Sequence, residues 1–221
     1  MGTKSDYCII FPHIPKCFGT SLKTQLEQAD IRVFFDYDHP PHHMAYLQNA
    51  CERRNWEYSL LDFGSFDMVF GHFPLQRYCR PNYRYIALLR HPLERAVSQY
   101  FYWKHGIPAD NRLAFVRNPD LEKIQRGQMD FLEFIRAHHI DAFYQSFLGE
   151  AKPSDFLLVG FTQRYPEFID RLSEYLPIRL SPDVHLRKGP REALDSGVLD
   201  TARDLLSREI AWYESFYQYW T

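Results

Sequence analysis

The chain has 221 residues and a mass of 26.4 kDa, the usual size of a single domain. Its net charge of -2 and its pI near 6.5 argue against a broad basic surface, so no nucleic-acid partner is expected. Aromatic residues form 17% of the chain, an excess that indicates a large packed core. We expect one domain over residues 1–221 whose partner is a small molecule or a carbohydrate.

The four cysteines, Cys8, Cys17, Cys51 and Cys79, lie far apart and form no CxxC pair or compact Cys/His spacing. They predict neither a zinc site nor a disulfide framework, and we interpret them as reduced thiols. The sequence has no apolar run of about 18 residues, and its first residues lack the layout of a signal peptide. A cytoplasmic protein without stable membrane insertion is expected, unless a native anchor lies outside this sequence.

Predicted strands and helices alternate from the N-terminus. Residues 7–11 form a short apolar run typical of a buried strand, and a helical pattern follows at Leu22, Leu26 and Ala29. Residues 31–37 predict a second strand, and residues 43–54 predict a second helix.

The alternation continues to the C-terminus. Short apolar runs predict strands at residues 67–71, 85–89 and 156–160, and helical patterns begin at Pro92 and cover 131–137, 142–148, 165–176 and 198–219. The polar segment 105–128 predicts an irregular loop or insertion. This order predicts an α/β fold with a mostly parallel central sheet flanked by helices.

Three polar sequences begin where predicted strands end: HIPKCFGTS, GHFP and LLRHPLERAVSQY. The carboxyl ends of parallel strands share one edge of the sheet, and ligands bind beyond that edge. The three sequences are therefore expected to meet there. A lysine, a histidine and an arginine near a glycine-containing loop suit an anionic donor and a hydroxyl acceptor.

The first of these sequences has the features of an anion-binding turn. Residues 15–21, PKCFGTS, let backbone N–H groups and a helix start face an anion, while Lys16 adds a positive charge. Gly19 permits a close approach, and Thr20 and Ser21 offer hydroxyl donors. The nucleoside-triphosphate loop has the order GxxxxGK, whereas here the lysine precedes the glycine, which disfavours a kinase or an ATPase.

Two motifs resemble those of the sulfotransferases that use 3'-phosphoadenosine-5'-phosphosulfate (PAPS) as donor. HIPKCFGTSL resembles their 5'-phosphosulfate loop, and LLRHPLERAVSQYFYW resembles their 3'-phosphate motif. VFGHFP and the later WYESFY resemble elements of the carbohydrate O-sulfotransferases related to the heparan and dermatan 2-O enzymes. The resemblance covers mainly residues 9–104 and implies the P-loop-nucleotide-kinase-like sulfotransferase fold.

The resemblance also implies site residues. Lys16 would neutralise charge on the leaving oxygen, and His72 would accept the proton of the acceptor hydroxyl. No metal is required, because a sulfuryl group carries less charge than a phosphoryl group. The residues implied in donor binding are Pro15, Lys16, Phe18, Gly19, Thr20, Ser21, Arg90, Ser98, Arg187, Lys188 and Gly189.

Departures from the family pattern leave alternatives open. His91 stands where the family commonly has Asp, and Phe70 stands where some 2-O enzymes carry another His. Cys17 and Phe18 replace the small residues that usually follow the lysine. Arg187, Lys188 and Gly189 resemble the Arg-Lys-Gly turn of cytosolic sulfotransferases, but the Gly-Asp-Trp that often follows that turn is missing. An inactive module that binds adenosine 3',5'-bisphosphate (PAP) is therefore one alternative, and a small-molecule kinase is a less favoured one.

Three further expectations concern side chains outside the donor motifs. Trp103, Lys104 and His105 follow the 3'-phosphate motif and are expected to form a rim for the acceptor. Arg95 is expected on the solvated face of its helix, or paired with the surroundings of Glu94. The histidine-rich and aspartate-rich sequence 36–43 predicts a solvated loop rather than a metal site, because it carries two prolines and no regular ligand face.

Overall fold

Five parallel strands form the described sheet, in the order β2-β3-β1-β4-β5. The computed structural model describes residues 7–37, 66–108, 110–111, 114, 118–182 and 192–221. The strands are β1 (Cys8–Pro12), β2 (Val33–Asp36), β3 (Met68–Gly71), β4 (Tyr83–Leu89) and β5 (Phe156–Phe161). The prediction of an α/β fold with a parallel central sheet flanked by helices is confirmed.

The central strands are buried along their whole length. Every residue of β1 and of β3 is shielded from solvent. Runs such as CIIFP and MVFG are apolar at successive positions, which is the pattern of strands covered on both faces. Burial of both faces therefore accounts for the short continuous apolar runs in the sequence.

Helices connect and cover these strands. The described helices are α1 (Gly19–Gln28), α2 (Pro92–Phe101), α3 (Asp120–Gln125), α4 (Phe131–Ala137), α5 (Phe143–Leu148), α6 (Tyr165–Tyr175), α7 (Ser196–Leu205) and α8 (Ser207–Trp220). Pro92 occupies the first turn of α2, where its missing N–H costs nothing. A π-helical turn, Tyr102–Gly106, directly follows α2.

Two predicted elements differ from the structure, and one lies outside it. The segment 105–128 contains α3, and Gln125 at its end donates hydrogen bonds to the carbonyls of Trp103 and Ile107, at 3.2 and 2.9 Å. The single closing helix is divided into α7 and α8 at Leu206, whose side chain is buried. The helix predicted at 43–54 lies outside the described residues.

A buried ion pair fixes the end of β2. Asp36 lies 2.8 Å from the guanidinium of Arg77, and both side chains are almost fully buried. The hydroxyl of Tyr78 donates a second hydrogen bond to the same carboxylate at 2.9 Å. The expectation of a solvated loop is therefore wrong for Asp36, because this pairing compensates the burial of its charge.

The neighbouring strand end requires a glycine. A Cβ atom at Gly71 would lie 1.9 Å from the carbonyl oxygen of Asp36, so only glycine fits between β3 and β2. The N–H of His72 donates to that same carbonyl at 2.9 Å. The position of His72 is therefore set by the backbone of β2.

Candidate active site

The direction of the connections reverses between β1 and β4. The chain leaves β1 toward β2 on one side and leaves β4 toward β5 on the other. Such a reversal opens a crevice beyond the strand ends, where ligands of open α/β sheets bind. The turn after β1 and the segment after β4 therefore line the same crevice.

The turn after β1 has two non-glycine residues in the left-handed region. Lys16 has a φ of 71° and Phe18 a φ of 59°. The N–H of Cys17 donates to the carbonyl of Ile14 at 3.3 Å, which closes a turn with Pro15 and Lys16 at its centre. A left-handed backbone is unfavourable for residues other than glycine, and such residues cluster at functional sites. This turn therefore has the character of a ligand-binding loop.

Phe18 precedes the first residue of α1 and cannot cap it, because its side chain has no hydrogen-bond acceptor. Its ring packs instead against Tyr165 beyond β5, at a centroid distance of 5.5 Å. The first N–H groups of a helix have no partner within the helix and attract anions. Thr20 is exposed and Ser21 is half-buried at this helix start.

Gly19 packs against a histidine side chain, and its expected approach to an anion stays a prediction. A Cβ atom at Gly19 would lie 1.8 Å from the imidazole of His13, so the histidine ring occupies the space that the missing side chain leaves. The glycine thus allows the close approach of a protein side chain. The role of His13 at this helix start was not predicted from the sequence.

The ammonium group of Lys16 lies over an aromatic ring. Its Nζ is 4.0 Å from the ring centroid of Tyr102, in the π-helical turn after α2. The ring is 40% exposed, so the lysine is held at the surface of the crevice rather than within the core. The π-helical turn after α2 therefore contributes to the position of the turn that carries Lys16.

Arg90 connects the end of β4 to this loop. Its side chain is buried, and its Nη1 donates to the carbonyl of Lys16 at 3.4 Å, while its Nε lies 3.4 Å from the carboxylate of Glu94. Helix α2 begins at Pro92, as expected, which places Ser98 in its second turn. Arg187, Lys188 and Gly189 lie outside the described residues.

Tyr144 on α5 holds the backbone of Arg90. Its hydroxyl accepts a hydrogen bond from the N–H of Arg90 at 3.0 Å and donates to the carbonyl of the same residue. The N–H of Tyr144 donates to the carboxylate of Glu209 at 2.6 Å, and burial raises the pKa of Glu209 to about 7. A phenol from a distant helix thus fixes the arginine, and the sequence offered no signal for this contact.

Removal of that hydroxyl should weaken both the fold and the site. We expect Tyr144→Phe to lower the free energy of unfolding by about 1 to 3 kcal/mol, because a buried N–H and a buried carbonyl lose their partner. The affinity for PAP should fall as well, since Arg90 is then held less firmly. Urea unfolding and calorimetric titration with PAP measure the two effects.

Tyr85→Phe is the matched control for this prediction. The hydroxyl of Tyr85 donates to the carbonyl of Tyr78 at 2.8 Å, at the opposite end of β4. This control should lose stability without losing affinity for PAP. Equal affinity for PAP in the two variants would contradict the role assigned to Tyr144.

His72 lies beside two aromatic rings beyond β3. Its ring centroid is 4.7 Å from that of His13 and 4.8 Å from that of Tyr37, and Nδ1 of His13 is 2.6 Å from the hydroxyl of Tyr37. Burial, with a smaller contribution from the charge of Lys23, lowers the pKa of His13 to about 3. The imidazole of His13 is therefore neutral at physiological pH.

Two expectations about α2 and the turn after it are wrong. Arg95 is fully buried rather than solvated, and its guanidinium lies 3.6 Å from the ring centroid of Phe143. Trp103 is also buried, so it cannot form a rim for an acceptor. Lys104 and His105 do reach the surface, where both contact the carboxylate of Glu192, at 2.7 and 2.8 Å.

The C-terminal helix contacts the start of α2. His91 packs its ring against Tyr213 of α8 at a centroid distance of 5.6 Å. Burial lowers the pKa of His91, which favours its neutral form. The histidine that departs from the family pattern thus joins α8 to the segment that carries Arg90.

Two features are absent from the residues that the structure describes. No helix there is long and apolar enough to cross a membrane. No group of His, Cys, Asp and Glu side chains in the same part of the chain could hold a metal ion.

The fold and this edge define a class of α/β proteins with a parallel sheet and a tight turn after its central strand. The model of the Sulfotransferase family matches residues 2–172, more than half of the sequence. The chain therefore belongs to the sulfotransferase family, whose members are transferases. The resemblance drawn from the motifs is confirmed at this level, while the relation to the 2-O enzymes remains a prediction.

Comparison with solved structures and curated proteins adds two findings. A crystal structure of a sulfotransferase from Alicyclobacillus acidocaldarius is similar over 97% of this chain and 96% of that chain, with a TM-score of 0.47 and 13% identity. A search of curated proteins found no match.

Proposed function

We propose that this protein transfers a sulfuryl group from PAPS to a hydroxyl of an acceptor, and that the acceptor is a carbohydrate. The observation that carries the proposal is the contact of Arg90 with the carbonyl of Lys16 at 3.4 Å. It brings the residue proposed for the 3'-phosphate to the turn proposed for the 5'-phosphosulfate. Sulfotransferases generally use PAPS, which supports the same donor here.

The donor would bind along the crevice from α1 to α2. The N–H groups at the start of α1 would face the 5'-phosphosulfate, and the ammonium of Lys16 would approach the oxygen that bridges sulfur and phosphorus. Arg90 would offer its planar guanidinium to the 3'-phosphate, and Ser98 its hydroxyl. As the S–O bond to the donor breaks, Lys16 would neutralise the charge that develops on the leaving phosphate oxygen.

His72 would act as the general base. A hydroxyl becomes nucleophilic enough to attack sulfur as its proton passes to a nearby neutral imidazole. The products would be a sulfate ester and PAP, with the proton on His72 and then in solvent. The place of His72, directly after a strand of the same sheet edge, supports this role.

The proposal of a carbohydrate acceptor rests on the resemblance of VFGHFP to the 2-O enzymes and on exposed groups near Lys16. Tyr102 presents a partly exposed ring there, and Lys104 and His105 follow it in the π-helical turn. An exposed phenol ring offers an apolar face and a polar edge, which suits a sugar. Lys104 and His105 remain candidates for the acceptor rim.

A transfer assay tests the proposed function. The protein is incubated with PAPS labelled in its sulfuryl group and with separate panels of glycans, phenols and lipids. Labelled glycan together with PAP would support the proposal, whereas labelled phenol or lipid would overturn the carbohydrate assignment. Tight binding of PAP without transfer would favour the inactive module, and binding of ATP with magnesium in place of PAP would favour a kinase.

A substitution at Arg90 tests the donor site directly. We expect Arg90→Lys to weaken PAP binding by about ten- to a hundredfold, because lysine keeps the charge but loses the bidentate geometry. Binding of adenosine 5'-monophosphate, which has no 3'-phosphate, should change little. Titration calorimetry with both nucleotides measures the difference.

Arg84→Lys provides the control for this substitution, since Arg84 is exposed near the opposite end of β4. It should bind both nucleotides as the unmodified protein does. An equal loss of affinity for the two nucleotides in Arg90→Lys would contradict the assignment of Arg90 to the 3'-phosphate.

A further inference from the structure

Three rings from three strand ends meet at the carboxyl edge of the sheet. Strand β3 lies between β2 and β1, so His72 is flanked by Tyr37 on one side and by His13 on the other. The two ring distances to His72 are nearly equal, at 4.8 and 4.7 Å. A hydrogen bond of 2.6 Å joins the two flanking residues.

We infer that His13 and Tyr37 form a positioning pair, which holds the imidazole of His72 in the orientation that the reaction needs and ties it to the donor loop. The inference rests on the proposed function, in which His72 is the base. It assigns to the pair no proton transfer of its own. His13 and Tyr37 act through His72.

The surroundings of His13 exclude it as the base itself. Its Nδ1 is engaged by the hydroxyl of Tyr37, and the opposite side of its ring, including Nε2, lies against Gly19. The ring also stacks on Phe70 with an interplanar angle of 19° and a centroid distance of 5.2 Å. Both nitrogens of His13 therefore face the protein, and an acceptor hydroxyl has no route to them.

The contact with Gly19 gives the pair its connection to the donor. Gly19 is the first residue of α1. Lys16 lies just before it, in the turn between β1 and α1. A side chain held at this helix start therefore sets the distance between the base and the donor loop. Transfer rates depend steeply on such distances, because reacting groups must be aligned before the reaction.

The pair also explains why a phenylalanine suits position 70. This residue stands where some 2-O enzymes carry another His, and its ring supports the flat face of His13. The imidazole beside His72 is thus supplied by the residue that follows β1. The neutral state of His13 suits the start of α1, where a positive charge would be unfavourable.

Tyr37→Phe is the sharpest test, because it removes one hydroxyl and keeps the ring. We expect kcat to fall about ten- to a hundredfold, as for other misplaced catalytic groups, while the affinity for PAP stays unchanged. His13→Asn, whose amide can replace Nδ1 as a hydrogen-bond partner, should retain more activity than His13→Ala. Tyr85→Phe is the control, since its hydroxyl donates to the carbonyl of Tyr78 at 2.8 Å, away from these rings.

A second readout does not depend on turnover. Imidazole resonances of protein labelled with ¹⁵N-histidine are assigned by His13→Asn and His72→Asn. We expect Tyr37→Phe to shift the signals of both His13 and His72 and to leave that of the exposed His139 in place. If no acceptor is sulfated, the proposed function fails, yet these spectra still decide whether the pair orients His72.

Two results would overturn the inference. One is a Tyr37→Phe variant with unchanged kcat and an unchanged His72 signal. The other is a loss of activity that matches a loss of PAP affinity, because it would indicate general damage to the site.

Discussion

Replacement of His72 by Asn is expected to lower kcat by about a hundredfold to ten-thousandfold, with little change in the affinity for PAP. A positioned general base contributes this much to a transfer reaction, and asparagine cannot accept the proton. Donor binding should persist, because the residues proposed for it belong to the turn after β1 and to the segment after β4. Steady-state transfer with labelled PAPS gives kcat, and calorimetry gives the affinity for PAP.

His139→Asn is the control for this substitution. His139 is exposed and has a φ of 47°, a conformation that asparagine tolerates well. Its replacement should leave transfer unchanged. A His72→Asn variant that keeps full activity would show that the acceptor loses its proton to another group, and a variant that no longer binds PAP would place His72 in the donor site.

The strands were predictable because burial on both faces leaves a direct trace in the sequence. All five described strands fall within two residues of their predicted bounds, as β1 at Cys8–Pro12 and β5 at Phe156–Phe161 illustrate. The start of α2 was predictable for a similar reason, since Pro92 suits a first helical turn. These features depend on residues that are neighbours in the chain.

Contacts between distant segments could not be predicted. His13 and Tyr37 are 24 residues apart, and Tyr144 lies 54 residues after Arg90. A motif shows that Lys16 and Arg90 belong to a donor site, but not which side chains hold them. Those supporting residues depend on the order of the strands and on the docking of α5, neither of which has a local signal.

The burial of Arg95 shows the same limit. The sequence alone predicted a solvent-exposed side chain for Arg95, because an arginine is rarely buried without strong compensation. In the structure its guanidinium lies over Phe143, and the charge of Glu209 on α8 favours its ionised form against the effect of burial. The partners come from helices far along the chain, so the environment of Arg95 follows from tertiary packing.

Lys16→Met is expected to lower kcat by about a hundredfold to a thousandfold, the usual loss when one charge-stabilising group is removed from a transition state. The affinity for unreacted PAPS should fall much less, because the charge on the leaving oxygen develops only as the S–O bond breaks. Methionine keeps an unbranched side chain of nearly the same length and the Cβ atom, so the cost of the left-handed backbone at this position is unchanged. Transfer kinetics and titration with PAPS in the absence of acceptor separate the two effects.

Stability provides the internal check on this substitution. The ammonium of Lys16 lies over a partly exposed ring of Tyr102, a contact worth about 0.5 to 1 kcal/mol, so the variant should remain folded. Lys123→Met is the matched control, since its side chain is exposed on α3 and pairs only with Asp120 in the described structure. If Lys16→Met lost affinity for PAPS and kept its kcat, the lysine would contribute to binding alone, and another group would neutralise the leaving oxygen.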